Sequence, residues 1–520
     1  MKKLYFGLLM SAAVMTTSCD MDTTNYGVID QSNYIETMAD CQSFINGIYV
    51  HFRAKTGGGY YWFYPDVQMD QFIGLSDNGN RGGVMSLGQI QPGDTDLANI
   101  YYNLFIQVND ANYFLPRVEK LIESGNFSES DVYTLKYYKA TAMFSRAYAY
   151  WYMLDKYVNY KTADLDAPGK GLQLETEFHP SGDRATYVGR STIRESVKFI
   201  TDELTEAYNL MKEYEENVSS AYCNPNADRF SSYLCEALHA RVALLTQDYA
   251  TAAAKAEDVI NSGNYGLTAA ADYADMWVND SGDELLFVAS AEKGVGGQSI
   301  GVNYYTNNQK NSSDYIPTAS VLNSYGDGDV RFDAFFELYA PLEVAGEDYY
   351  AYAFTKFPGN PALNTGSTNS MLNKGKPFRL SELYLIAAEA YASDGAQKSE
   401  TKANAYLNAL RSARIEGYTE QNYSGAALLN QVRTERGKEL IGEGFRLSDL
   451  RRWGQGFTRE AGFDVFMGSA VEPLAYIMDV ITTAGNNLTY QPDDYRFVWP
   501  IPTREMQVNP QLAGQQNPRY

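Results

Sequence analysis

Positive charge, histidine and cysteine are what this sequence has least of. Its 520 residues carry 42 Lys and Arg against 64 Asp and Glu, a formal net charge of -22. A surface of that sign repels a phosphate backbone, which excludes nucleic acid as an expected partner and favours neutral ligands recognised by local contacts. The three histidines, His51, His179 and His239, are scattered, and neither CxxC nor HExxH occurs, so no metal centre is expected. Asp327-Gly328-Asp329 opens like a calcium loop, but Arg331 stands where a third oxygen ligand belongs and no Glu follows at the needed offset; a turn is expected there. Walker, GxGxxG and GxSxG patterns are absent too, and no cofactor is expected.

The apolar stretch from Leu4 to Met15 is too short to span a bilayer. Lys2 and Lys3 precede it and Thr16, Thr17, Ser18 and Cys19 follow, the order of an export signal: charged start, apolar middle, small-residue cleavage site. A cysteine directly after small residues resembles a lipobox, so residues 1–18 are expected to be removed and Cys19 to become the lipidated first residue. Thr16 replaces the usual aliphatic residue there, which keeps an ordinary secretion signal as the alternative. Each buried acyl methylene contributes about 0.8 kcal/mol, so several chains on one cysteine anchor durably. Cys41, Cys223 and Cys235 remain, an odd number that allows at most one bridge. Cys223 and Cys235 are nearest in sequence, and separation alone does not decide between a bridge and two buried thiols.

What is present is the composition of a folded, water-soluble body, 45% hydrophobic and 20% charged. Ile193, Val197, Ile200, Leu204, Ala207 and Met211 recur at helical spacing with acids off the stripe, and Thr192 with Glu195 forms a capping-box pattern at the start. Leu234, Leu238, Val242 and Leu245, then Ala252, Ala253, Ala256 and Ile260, predict a helical hairpin turning at Gln247-Asp248-Tyr249. Small residues on its second helix let two axes approach closely, the packing logic of tetratricopeptide-type repeats. A similar hairpin is expected from Leu383 to Ala413, and Leu135 to Tyr157, apolar almost all round, predicts a core helix. Irregular aromatic and Gly/Asn-rich segments lie at 56–95, 160–190, 262–320 and 341–379, with one isolated strand at 284–288. No linker divides residues 19–520, so one body is expected.

Several segments resemble one known family. Lys139-Ala140-Thr141-Ala142-Met143-Phe144-Ser145-Arg146-Ala147, Asp248-Tyr249-Ala250-Thr251-Ala252 and Ser381-Glu382-Leu383-Tyr384-Leu385-Ile386-Ala387-Ala388-Glu389-Ala390 look like the SusD/RagB family. The closest likeness is Glu435-Arg436-Gly437-Lys438-Glu439-Leu440, then Gly442-Glu443-Gly444-Phe445-Arg446, then Asp449-Leu450-Arg451-Arg452-Trp453-Gly454, with Pro500-Ile501-Pro502 and Asn509-Pro510 near the end. Tyr157-Val158-Asn159-Tyr160 departs from the family's Gly-Asp turn. The resemblance implies a mainly α fold of tetratricopeptide-like helix pairs carrying long ligand-binding loops and minor β structure. It also implies a non-enzymatic lipoprotein on the outer membrane, exposed at the cell surface. Such a protein captures an oligo- or polysaccharide and delivers it to a TonB-dependent transporter of the SusC type.

A pyranose ring stacks its C–H face on an aromatic ring while its hydroxyls seek amide, carboxylate or guanidinium partners. Tyr60, Trp62 and Tyr64, with Asp70, Asn78 and Arg81, supply that mixture in one expected loop, and Asn303, Tyr304, Tyr305 and Tyr315 supply it in a second. With 43 Tyr in the chain most must pack against helices instead, so each ring has a structural reading beside the functional one. Trp453, within the C-terminal signature, is expected to be buried. Arg433, Glu435, Arg436, Glu439, Arg446, Asp449 and Arg452 are expected to form ion pairs joining the last helices. The 64 acids offer many carboxylate pairs, which keeps a glycoside hydrolase on a helical scaffold open beside a repeat scaffold for protein partners.

Overall fold

A computed structural model describes residues 35–55, 59–75, 82–308, 310–344, 347–459, 466–467, 470–471 and 488–520. Cys19, Asn78 and Arg81 lie outside the described residues. The principal helices are α1 (Met38–Lys55), α2 (Tyr60–Val67), α3 (Thr95–Glu123), α4 (Glu129–Tyr157), α5 (Ile193–Asn217), α6 (Ser232–Leu245), α7 (Tyr249–Ile260), α8 (Leu380–Ala392), α9 (Glu400–Ser412), α10 (Gly425–Glu439) and α11 (Arg446–Arg452). From α3 to α7 each packs on its successor; α7 then meets α8 across the intervening residues, and α8 packs on α9 and α10. The fold is mainly α, a stack of tetratricopeptide-like helix pairs.

Local chemistry explains where these helices begin and which side they bury. Thr192 Oγ1 accepts from the Glu195 N–H at 3.1 Å and Glu195 Oε2 accepts from the Thr192 N–H at 2.8 Å, so the expected capping box starts α5. In α7 the buried residues are Ala252, Ala253, Ala256 and Val259, small enough to let α6 and α8 close on either side. Helix α4 is buried on every face from Ala140 to Tyr157, as an apolar circumference requires. Cys41, Cys223 and Cys235 are free, buried thiols, and burial pushes Cys41 up to about 12, which makes it unreactive.

The segments expected to be irregular hold more regular structure than their composition signals. Strand β1 (Phe72–Gly74) and β2 (Leu285–Phe287) each take one distant partner: β1 pairs antiparallel with β3 (Tyr315–Pro317). The longest pair is a hairpin of β4 (Phe336–Val344) and β5 (Glu347–Phe354), while β6 (Phe378–Arg379) pairs with β2. The turn expected at Asp327-Gly328-Asp329 is held by ions: Asp329 bonds Arg331 at 2.8 Å and Lys438 at 2.6 Å.

Beside these strands lies a buried cluster of opposite charges. Glu439, at the end of α10, receives Arg379 at 2.8 Å and Arg331 and Arg414 at 3.1 Å. Glu435, one turn earlier, binds Arg331 at 2.6 Å and Arg411 at 2.7 Å; Glu284 binds Arg379 and Arg414, and Glu443 binds Arg379 and Lys356. The C-terminal acids thus form ion pairs, but with residues far away in the chain as well as with the last helices. Burial by itself raises the Glu439 carboxyl, yet Arg414, Arg379 and Arg331 together hold it well below the usual carboxylate range.

Burial likewise raises Glu435, and Arg331 and its neighbours bring it down to about 2. A carboxyl whose folded value lies below its unfolded one stabilises the fold above the unfolded value and loses that contribution as pH falls toward the folded one. The shift from 4.5 to about 2 corresponds to about 3 kcal/mol at neutral pH. Glu435→Gln should therefore be less stable than wild type at pH 7 by that order, with the gap closing as pH drops from 4.5 toward 2. Denaturant unfolding of both proteins across that range measures it.

Candidate functional site

Gly59, at φ +56°, precedes α2, and the aromatic run Tyr60-Tyr61-Trp62-Phe63-Tyr64 is helical where a loop is expected. A helix that is apolar all round is covered all round, and every residue of α2 after Tyr60 is buried. Trp62 packs on Phe357 with ring centres 5.9 Å apart, and Tyr64 donates its hydroxyl proton to Asp96 at 2.5 Å. Phe63 meets Tyr304 and Tyr315 edge to face, each at 5.2 Å, and Tyr304 also meets Phe354 at 4.8 Å. Tyr305 stacks on Tyr339 at 5.0 Å. The expectation that Trp62, Tyr64, Tyr304, Tyr305 and Tyr315 present open faces is thus corrected: other rings cover them. Asp70 is spent as well, on two bonds of 2.8 and 2.7 Å to Arg446.

Two predicted residues do meet at a surface. Tyr60, 41% exposed, lies face to face with Tyr64 at 4.7 Å on one side. It lines a cleft of about 380 Å³ with Asn303, Arg53, Gln298 and Ser299. Buried Gln298 Nε2 has no hydrogen-bond partner, leaving an amide donor available. Arg53 is braced by Nη1 donating to the Ser290 carbonyl at 2.6 Å, and a Cβ at Gly296 would stand 2.6 Å from its guanidinium, so only glycine lets it lie there. Arg53, Gln298 and Ser299 escape a reading that looks for aromatics; the Gly294-Val295-Gly296-Gly297 run beside them is the signal in the sequence.

A second cleft, of about 350 Å³, opens at the other end of α2 between α10, α11 and the turn at Ala319–Leu322. Trp453 lines it and is only partly buried, which corrects the expectation of a core tryptophan. Its indole N–H donates to Glu389 at 2.7 Å, and Glu389 is held low, against its burial, by Arg452.

Helix α2 is held to the C-terminal segment by a close backbone approach. Gly444, at φ +84°, would put a Cβ 2.9 Å from the Trp62 backbone, and its N–H donates to Asp66 at 3.0 Å. Burial pushes Asp66 up to about 7 against that hydrogen bond and a second from the Arg446 N–H. Among the described residues no group of three His, Cys, Asp or Glu is arranged to hold a metal ion, and no helix is long and apolar enough to cross a membrane.

Residues 298–520 match the model of the SusD family, and residues 28–234 match a related model described as starch-binding associating with outer membrane. The chain belongs to the SusD family. A SusD superfamily protein from Bacteroides thetaiotaomicron is 26% identical, with a TM-score of 0.71 over 93% of this chain and 100% of that one. Another from Bacteroides vulgatus is 22% identical, with a TM-score of 0.72 over 94% and 100%. A laminarin-binding SusD-like protein is 22% identical, with a TM-score of 0.63 over 94% and 100%. No curated protein matches the sequence. Within the matched residues, the Gly442–Arg446 segment works as scaffold: Gly444 seats α2, and Arg446 pairs with Asp70.

Two rings in the first turn of α2 should respond differently to truncation. Trp62→Ala empties a core position and is expected to cost about 3–5 kcal/mol. Tyr60→Ala removes a ring that is 41% exposed and should cost no more than about 1 kcal/mol. Calorimetric melting of the two variants separates them.

Proposed function

We propose that this SusD-family chain captures a neutral oligo- or polysaccharide in the cleft of Tyr60, Arg53, Gln298, Ser299 and Asn303, and does not cleave it. The observation that carries the reading is the single exposed aromatic of α2 beside an unpartnered amide donor, since a sugar offers an apolar face and a ring of hydroxyls together. Glycoside hydrolysis uses a pair of carboxyl groups, and the described lining of this cleft contains no Asp or Glu. The laminarin-binding relative shares the fold and suggests a first probe. Lipidation at Cys19 would hold the protein to the outer membrane, and a SusC-like TonB-dependent transporter would receive the glycan.

Titration calorimetry across a glycan panel that includes laminarin oligosaccharides should find a ligand whose affinity falls tenfold or more in Tyr60→Ala. Losing a stacking aromatic costs about 1–3 kcal/mol, taking base stacking as the guide. A steady release of reducing ends on incubation, or unchanged affinity in the variant, would sink the reading.

Cys19→Ala should move the protein from the membrane fraction to the soluble one in cells that lack the partner transporter. Continued membrane fractionation there would remove the anchor.

A further inference from the structure

Three cations line the second cleft, and two of them are committed: Arg446 to Asp70 at 2.7 Å and Lys438 to Asp329 at 2.6 Å. Arg433 is the third. Its Nε is buried with no hydrogen-bond partner, and no carboxylate among the described residues lies within ion-pair distance of it. The nearest acids are engaged elsewhere: Glu389 takes Arg452 at 2.5 and 2.6 Å and the Trp453 N–H at 2.7 Å, and Asp449 takes Arg436 at 2.9 Å and Arg452 at 2.8 Å. The Arg433 guanidinium sits 5.1 Å from the Trp453 ring centre. Most of the remaining lining is neutral, with hydroxyls or amides on Ser320, Ser324, Asn430, Thr434 and Gln455, and its one acid, Asp70, is the carboxylate that Arg446 holds.

A buried guanidinium donor without a partner is costly, and a carboxylate satisfies it in two parallel bonds. We infer that the cleft of Arg433 and Trp453 is a second ligand site that takes the carboxylate of an acidic sugar, a uronic acid residue, with Arg433 on the carboxylate and the neutral rim on the hydroxyls. This site begins at Asp70, past the end of α2 opposite Tyr60, and shares no lining residue with the first cleft. The hydroxyl-rich rim favours a sugar acid over an acidic peptide, which would need apolar or backbone-pairing surface beside the charge.

The probe is trigalacturonate compared with its methyl ester, which keeps every hydroxyl and removes the charge. Titration calorimetry on the full chain should give the acid at least a tenfold tighter binding than the ester. Arg433→Gln should abolish that preference, and Tyr60→Ala should leave it intact. Thr434→Glu, an exposed substitution on α10 that brings a like charge to the cleft, should reduce the preference in the same direction and serves if Arg433→Gln fails to fold. Equal affinity for acid and ester in the wild type would overturn the proposal. So would a preference that survives Arg433→Gln or Thr434→Glu, or one that disappears in Tyr60→Ala, which would put the carboxylate in the first cleft.

Discussion

The Glu439 carboxylate is the point on which the rest of the molecule depends. Three guanidinium groups reach it from separate parts of the chain: Arg331 and Arg379 from the segment between α7 and α8 and its end, and Arg414 from just after α9. Each charge is fully buried, so none is tolerable alone; removing any one partner leaves the others desolvated and unbalanced. The cluster therefore acts as a positional lock. It admits the strand-bearing segment between α7 and α8 in one arrangement relative to the helical stack, because only there does every charge find its counterpart.

That lock has a direct consequence for the binding surface. Lys356 donates to the carbonyls of Glu439 and Ile441 and to the Glu443 carboxylate, which sets the chain path leading into Gly442 and Gly444. Gly444 in turn seats against Trp62, and Arg446 grips Asp70, so α2 is held at both its middle and its far end by the C-terminal segment. Tyr60 is presented at the other end of this rigid element. A recognition ring carried on a braced helix loses little freedom on binding, which favours affinity over adaptability.

The aromatic wealth of the chain serves mainly this bracing. Phe63, Phe72, Phe354, Tyr304 and Tyr315 interlock by edge and tilted contacts, and Phe63 links that cluster to Tyr60 with ring centres 6.3 Å apart. The two clefts then divide the chemistry. The first offers an aromatic face and neutral or cationic donors, and the second an arginine whose acids are all engaged elsewhere.

Helical periodicity, capping at Thr192 and Glu195, small residues in α7 and the C-terminal signature were all readable in the sequence, because each depends on neighbours three or four residues away or on a contiguous motif. Tyr60 and Asn303 were legible as sugar-type residues by composition, and they do share a cleft. Which rings face water was not legible. Trp62 and Tyr64 are hidden by Phe357 and Tyr60, while Trp453 is partly open although its segment reads as core. Exposure is set by what distant segments lay over a ring, and charge pairing by which distant acid a guanidinium meets; Asp70 with Arg446 and Gly444 with Trp62 are contacts that no local pattern encodes. Sequence alone determined the repeat helices from Leu135 onward and the family, and tertiary structure decided which side chains were left free to bind, because burial depends on contacts between residues hundreds of positions apart.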